Sequence, residues 1–284
     1  MIPASSVLPS QNEKAELFRA LHEGPETFVI PNPWDAGTAR MLTALGFPAL
    51  ATTSAGFAFS VGRRDGDGAV TRDETLAHAR AIALASDLPV SADLENGFGD
   101  EPETVAETIR RAAAAGVVGG SVEDATCDPR RPIYEFGHAV ERVAAAVAAA
   151  RALPFPFTLV ARAENFLRGN PDLDDTIRRL RAYAAAGADV LYAPALPGLD
   201  AVRAVCAAVH PRPVNVLAGG KDSPFTVRNL ADAGVRRISV GSALNRAALG
   251  AFLRASREIL EKGTFTFGDD AAPFAELNGF MAGR

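Results

Sequence analysis

The segment "PVSADLENGFGDEPETVAETIRRAAAAGVVGGSVED", residues 89–124, contains one complete β-α-β pattern. Its first and last parts, "PVSADLE" and "VGGSVED", are short apolar runs that end in acids, and the part between them is rich in Ala with helical spacing. Strands that read as apolar without alternation are typical of strands buried on both faces. The segment therefore predicts two parallel strands joined by a helix.

The same pattern occurs eight times along the chain. The predicted strands are "TFVIPN", "PALATTS", "PVSADLE", "VGGSVED", "FTLVARAE", "DVLYAP", "PVNVLAG" and "RRISVG". Eight units favour a closed (β/α)₈ TIM barrel of the α/β class over an open doubly wound sheet, which would carry a G-x-G-x-x-G fingerprint after its first strand. We expect one barrel domain over residues 1–284, with an additional helix at about 10–23 that plugs the bottom and a helical tail at about 243–284.

Composition narrows the classes of function. The chain has 284 residues, of which 48% are apolar, and this is ample for one large core. A net charge of −5 with scattered basic residues argues against nucleic-acid binding. No apolar run reaches membrane-spanning length and the start lacks a signal-peptide pattern, so we predict a cytoplasmic protein that binds no membrane. Cys127 and Cys206 have no paired spacing and are predicted to be structural.

Acidic residues collect where the predicted strands end. Asp93 and Glu95 end the third strand on one face, Glu123 and Asp124 end the fourth, and Asp65 lies in a glycine-rich loop after the second. Active sites of TIM barrels form at these carboxyl ends. Converging carboxylates repel one another unless a cation lies among them, and Mg²⁺ is the cation that best fits an all-oxygen set. Zinc fits less well, because no histidine lies at a predicted strand end.

Some of these polar residues also have a structural interpretation. Asp124 is more typical of a helix cap or an arginine partner than of a metal ligand, and Asn32 and Asp35 are more typical of helix caps than of catalysis. Arg162 and Glu164 share a face at the end of the fifth strand. Arg162 is interpreted either as a partner of Glu164 or as a fork that binds a substrate carboxylate at two points.

Hydroxyl groups complete the predicted site. Thr53 and Ser54 follow the second strand, and together with a magnesium ion and an arginine they suit the stabilisation of an enolate of a 2-oxo acid. The competing chemistry is a lysine Schiff base. It is the weaker hypothesis, because Lys14 and Lys262 belong to predicted helices and Lys221 lies in a loop after the seventh strand.

Four motifs in barrel order resemble those of the isocitrate lyase and phosphoenolpyruvate mutase superfamily. They are "TTSAG" with "GRRD", "SADLENGFGD", "GGSVEDA" and "VARAENF", and the resemblance covers about residues 14–262. It implies a barrel whose eighth helix is exchanged with a neighbouring subunit, in dimers that often pair into homotetramers. It also implies Mg²⁺, with Mn²⁺ as a substitute, and 2-oxo acid or enolate intermediates.

The resemblance further implies roles for the metal-site acids. Asp93 would be the direct magnesium ligand and would also lie against the substrate. Glu95, Asp65 and Glu123 would hold the waters of the metal ion.

The resemblance implies substrate contacts as well. Thr53 and Ser54 would bind the carboxylate and the enolate oxygen of the substrate. Arg162 would bind a carboxylate or the transferred group, and Glu164 beside it is a further catalytic candidate.

The chain also departs from the superfamily in three places. The lyases carry a Lys-x-Cys-Gly-His loop after the fourth strand, where this chain has "ATCDPRRPIYEF", so Cys127 is not matched to the catalytic cysteine. The mutases carry Trp-Gly-Ser after the second strand, where this chain has Thr52, Thr53 and Ser54. Pro194 replaces the mutase histidine after the sixth strand.

These observations lead to one leading hypothesis of function and to alternatives. The leading hypothesis is a Mg²⁺-dependent lyase that decarboxylates a small 2-oxo or 2-hydroxy di-acid or cleaves it by a retro-aldol reaction. One alternative is a mutase or hydrolase of a phosphonate C–P bond. The others are a barrel that binds a phosphorylated ligand through "LAGGKDS" and "VGSALN", and a non-catalytic 2-oxo acid binder.

Overall fold

Eight parallel strands form a nearly closed barrel in the computed structural model, which describes residues 8–221 and 223–282. The sheet order is β1-β8-β7-β6-β5-β4-β3-β2, and Ala51 N donates to Pro31 O at 3.1 Å between β2 and β1. The predicted (β/α)₈ fold is therefore confirmed. The strands are β1 Phe28–Ile30, β2 Leu50–Ala51, β3 Val90–Asp93, β4 Gly119–Glu123, β5 Thr158–Arg162, β6 Val190–Tyr192, β7 Val214–Leu217 and β8 Arg237–Ser239.

Helices alternate with the strands and surround them. They are α1 Gln11–Glu23, α2 Ala36–Ala44, α3 Ser54–Ser60, α4 Arg72–Leu84, α5 Pro102–Ala114, α6 Phe136–Arg151, α7 Leu173–Ala185, α8 Leu199–Val209, α9 Val227–Asp232, α10 Ala243–Lys262 and α11 Phe274–Met281, with a 3₁₀ turn at Thr266–Asp270. The predicted additional helix before the first strand is α1, which begins with a capping box at Ser10. Asp35 caps α2, as predicted.

The helices cover the outer face of the barrel with two apolar clusters. One cluster includes Ile82 of α4, Ile109 of α5 and Leu159 of β5, and the other includes Leu180 of α7 and Ala161 of β5. Because side chains alternate along a strand, Val160 and Arg162 of β5 face the interior of the barrel. The strands are thus buried on both faces, as their apolar sequence predicts.

Helix α1 closes the bottom of the barrel. Phe18 is fully buried in a cluster with Phe28 and Ile30 of β1. Gly119 makes this packing possible, because a Cβ atom at that position would lie 2.8 Å from the Phe18 ring and 2.8 Å from Thr158 O. Phe18 of α1 therefore packs against the residues that begin β1, β4 and β5.

The C-terminal helices pack little on the barrel. Within the described part of the chain, Asn245 is the buried residue of α10, whereas Phe252 and Leu260 are 66% and 86% exposed. Helix α11 returns to α2, where Arg40 Nη1 donates to Met281 O at 2.7 Å. The exchange of the eighth helix between subunits stays a prediction. No helix among the described residues is long and apolar enough to cross a membrane.

Candidate active site

Three neighbouring strands end in charged residues that face the interior of the barrel. Asp93, Glu123 and Arg162 are the last residues of β3, β4 and β5, and Glu123 pairs with Arg162 in the sheet register. Their outward neighbours, among them Ala92 and Val122, belong to a cluster beneath the helices. The strand geometry therefore brings two acids and an arginine together at the mouth of the barrel.

Arg162 is the centre of this group. Its Nη1 lies 3.2 Å from Asp93 Oδ1, its Nη2 lies 3.0 Å from Glu123 Oε2, and its Nη2 lies 2.8 Å from Glu164 Oε1. The guanidinium carbon of Arg162 also lies 5.0 Å from the centroid of the Tyr192 ring. These ion pairs confirm the structural interpretation of Arg162, and they leave its role toward a substrate as a prediction.

A second arginine, which the sequence analysis missed, lies beside this group. Arg168 Nη2 is 3.1 Å from Glu123 Oε1, and Arg168 Nε is 3.8 Å from Glu164 Oε2. Arg168 belongs to the loop after β5 rather than to a strand end, and its backbone N–H donates to Glu164 O at 2.9 Å. The spacing of four residues from Glu164 was the available sequence clue, since one helical turn brings such residues together.

Glu95 does not lie on the strand, as the sequence analysis expected. Strand β3 ends at Asp93, and Glu95 has a φ of +48°, which is in the left-handed region. The sequence analysis expected strand alternation to place the two acids side by side. That reason is wrong, because only Asp93 belongs to the strand. The two groups are nevertheless neighbours, because Glu95 N donates to Asp93 Oδ1 at 3.3 Å.

The acids at the mouth affect one another's ionisation. Burial, together with the nearby carboxylates of Asp93, Glu123 and Asp65, raises the pKa of Glu95 to about 8, against the opposing charge of Arg162. The pKa of Glu123 is also raised by burial, against the charge of Arg162. Part of each rise comes from neighbouring carboxylates, so a cation placed among these acids would lower the pKa values of Glu95 and Glu123.

Asp65, Thr53 and Ser54 lie on the other side of Asp93. Ser54 N donates to Asp93 Oδ2 at 3.2 Å, and Thr53 caps α3 by accepting from Gly56 N. Partial desolvation raises the pKa of Asp65, and the charge of Asp93 adds to this rise. A hydrogen bond with Ser54 opposes it. Helix α3 was not predicted, because "TTSAGFAFSVGRRDGDG" reads as a loop.

The remaining polar residues have structural partners. Asp124 accepts from Tyr183 Oη at 2.6 Å and from Arg179 Nη1 at 3.1 Å, so its predicted pairing with an arginine is confirmed. Asn32 caps no helix; instead it donates to Thr52 O and accepts from the backbone of the segment after β8. Cys127 is a free cysteine, and burial raises the pKa of its thiol.

The donor set fits a hard divalent cation. All the donors predicted for the metal are carboxylate oxygens, and the raised pKa of Glu95 is relieved when a cation lies nearby. Among the described residues, no three His, Cys, Asp or Glu side chains converge closely enough to hold one ion directly. Mg²⁺ prefers oxygen donors, typically takes one or two carboxylates directly and keeps several waters.

Comparison with known proteins gives consistent matches over nearly the whole chain. The family model described as phosphoenolpyruvate phosphomutase matches residues 18–260. A probable 2-methylisocitrate lyase of Corynebacterium glutamicum is 31% identical over 93% of this chain and 85% of its own.

Solved structures match in the same way. A Burkholderia cenocepacia J2315 protein, whose activity is given only provisionally as lyase/mutase, is 59% identical, with 96% of each chain covered and a TM-score of 0.93. Oxaloacetate acetylhydrolase in complex with its product oxalate is 26% identical, with 95% of this chain and 94% of that chain covered and a TM-score of 0.86.

Proposed function

Because this chain belongs to the phosphoenolpyruvate phosphomutase family, in the isocitrate lyase and phosphoenolpyruvate mutase superfamily, we propose that it is a magnesium-dependent carbon–carbon lyase of a small 2-oxo or 2-hydroxy di-acid. One observation carries the proposal. Asp93, Glu123 and Glu164 gather around the buried Arg162 at the mouth of the barrel, and burial raises the pKa values of Glu123 and Glu164. Such a group suits the binding of a cation and of an anionic substrate.

The resemblance to the superfamily supplies the metal ligands of the proposed site. Asp93 would bind Mg²⁺ directly, with Glu95, Asp65 and Glu123 holding its waters, and Mn²⁺ would substitute. When bound, the ion would supply the positive charge that stabilises the negative charge developing on a substrate oxygen as the C–C bond breaks.

The residues of the chain would position the substrate. Ser54 N–H donates to Asp93, and the Thr53 hydroxyl lies at the start of α3; both groups would bind the 2-oxo acid end of the substrate. Arg162 would hold the acids in place and lend its charge to the substrate. Its position is fixed because its guanidinium is ion-paired on three sides and only 11% exposed.

A phosphonate C–P mutase or hydrolase is the second candidate. It is favoured by the family model, which is described by a phosphomutase. The missing Trp-Gly-Ser and the Pro194 substitution argue against it. For this reason C–C cleavage is the first choice.

We propose that the enzyme acts in the cytoplasm as a homo-oligomer, a dimer or a tetramer, in which α10 is exchanged between subunits. The exposed apolar side chains of α10, among them Phe252 and Leu260, support this proposal because a monomer would leave them in water.

A substrate screen tests the function. Purified protein is incubated with Mg²⁺ and, separately, with oxaloacetate, 2-methylisocitrate, 2,3-dimethylmalate or phosphonopyruvate, with and without EDTA. We expect EDTA-sensitive carbonyl or carboxylate products from one of the two di-acids, oxaloacetate or 2,3-dimethylmalate, rather than from 2-methylisocitrate, which has three carboxylates. Release of phosphate or formation of phosphoenolpyruvate would support C–P chemistry instead, and binding of di-acids without any turnover would indicate a non-catalytic binder.

A further inference from the structure

The hydrogen-bonding capacity of Arg162 is almost fully used within the protein. A guanidinium carries five N–H groups. In Arg162, Nε donates to Glu164, Nη1 donates to Asp93, and Nη2 lies within 3.0 Å of both Glu123 and Glu164. One N–H of Nη1 remains. Arg162 therefore does not present the free two-point fork that the sequence analysis considered.

Arg168 has the free donors that Arg162 lacks. Its side chain is 29% exposed, and within the described residues its hydrogen bond is from Nη2 to Glu123. The distance of 3.8 Å from Nε to Glu164 Oε2 is too long for a hydrogen bond, and both of these atoms are buried without a partner in residues 8–221 and 223–282. Nη1 has no hydrogen bond in the same ranges.

The position of Arg168 places these donors at the entrance. A Cβ atom on Gly66 would lie 3.9 Å from Arg168 Nη1, so Nη1 faces the loop after β2 that carries Asp65. The guanidinium thus lies between this loop and the acids of β4 and β5. Asp65 is hydrogen-bonded to Ser54 and is near enough to Asp93 and Arg168 to be affected by both charges, so these groups share one side of the mouth.

The negative charge at the mouth also means that a di-acid substrate needs a second positively charged side chain. Five carboxyl groups lie there with two guanidinium groups; the acids are Asp65, Asp93, Glu95, Glu123 and Glu164. A di-acid brings further negative charge. It is accepted only if positive charge other than the saturated Arg162 faces it.

We propose that Arg168 is the specificity-determining residue of the proposed lyase and binds the second carboxylate of a di-acid substrate. The inference rests on the proposed function. The competing interpretation is that Arg168 serves only to neutralise Glu123 and Glu164, and the two make different predictions for ligands with and without a second anionic arm.

The test compares two ligands by isothermal titration calorimetry in excess Mg²⁺. Oxalate, a dianion, mimics the 2-oxo acid end alone, and 3,3-difluorooxaloacetate carries a further carboxylate that is joined to this end by one CF₂ carbon. The variants are R168Q and R168K. The matched control is R178Q, since Arg178 lies on the surface of α7 and pairs with Asp175 away from the mouth.

We expect R168Q to weaken binding of 3,3-difluorooxaloacetate by about 10- to 100-fold and binding of oxalate by less than about threefold, since charge-assisted hydrogen bonds are the strong ones. R168K, which keeps the charge but loses the fork, should fall between R168Q and wild type for the longer ligand. R178Q should bind both ligands as wild type does.

Two results would overturn the inference alone. One is an equal loss of affinity for both ligands in R168Q, which would assign Arg168 to charge balance. The other is no loss of affinity for either ligand in R168Q. If the wild-type protein binds neither ligand, the proposed function fails and the inference falls with it. Melting curves of R168Q and R168K show whether each variant is folded, and R168K provides the comparison if R168Q is not.

Discussion

Arg142 of α6 supports the loop that follows β3, and its replacement by Met should damage both stability and metal binding. The side chain is 1% exposed, and its guanidinium stacks 4.1 Å from the centroid of the Tyr134 ring. Nη1 donates to Gly99 O at 2.6 Å and to Asp100 O, and Nη2 donates to Asn96 O. This guanidinium thus holds the turn that begins directly after Glu95.

The magnitude follows from the three carbonyl groups. Each buried polar group that loses its partner costs about 1–3 kcal/mol, and removal of the buried charge offsets part of that loss. We expect R142M to lower the free energy of unfolding by about 3 kcal/mol, which corresponds to a melting temperature lower by about 6 °C. Because the turn orients Glu95, Mg²⁺ affinity should fall by about 10-fold or more, as is typical when the support of a metal ligand is removed.

Urea unfolding and Mg²⁺ titration calorimetry measure the two effects on the same preparation. The control is R110M, because the ion pairs of Arg110 of α5 within the described residues are with Glu103 and Glu107 on the surface. R110M should change neither quantity. If R142M unfolds and binds Mg²⁺ as R110M does, the support assigned to Arg142 is wrong.

Three further predictions concern the floor and the mouth of the barrel. G119A should lower the free energy of unfolding by about 1–3 kcal/mol in urea unfolding, because the new methyl group meets the Phe18 ring and the immobile Thr158 carbonyl; a change below 0.5 kcal/mol would contradict this packing. Burial lowers the pKa of His22 to about 3, so the folded protein keeps the ring neutral while the unfolded chain takes up a proton below about pH 6.5. Stability should therefore fall between about pH 6.5 and pH 3 by up to about 1.4 kcal/mol per pH unit, and H22L should fall less steeply in urea unfolding at pH 7 and 4.5. C127A should keep turnover within about twofold of wild type in the substrate assay, since the raised pKa of the thiol disfavours the reactive thiolate.

Most of the fold could be predicted because it depends on repeated local patterns. Each of the eight apolar runs became a strand, and the capping residues at Ser10 and Asp35 began helices. Helix α3 was missed since its sequence, "SAGFAFS", is short and adjoins a glycine-rich segment. Thr53, which caps α3, lies just after β2, and apolar content alone does not show where that strand ends.

The candidate site was predictable only in part, for a different reason. Asp93, Glu123 and Arg162 end strands, so the barrel geometry alone brings them together. Glu95 and Arg168 occupy turns, where position depends on local backbone conformation and on side chains from distant helices. The strand pattern does not encode such positions; for Arg168 the sequence offers only its spacing of four residues from Glu164, and its contact with Glu123 appears only in three dimensions.

Mg²⁺ titration of D93N tests the metal site most directly. Titration calorimetry compares wild type, D93N and the control D200N. Asp200 is an exposed residue of α8, and its ion pair among the described residues is with Arg203. The proposed site predicts one Mg²⁺ bound per chain in wild type and in D200N, and a loss of at least about 10-fold in affinity in D93N. If D93N binds Mg²⁺ as tightly as wild type does, Asp93 is not the metal ligand and the proposed site is wrong.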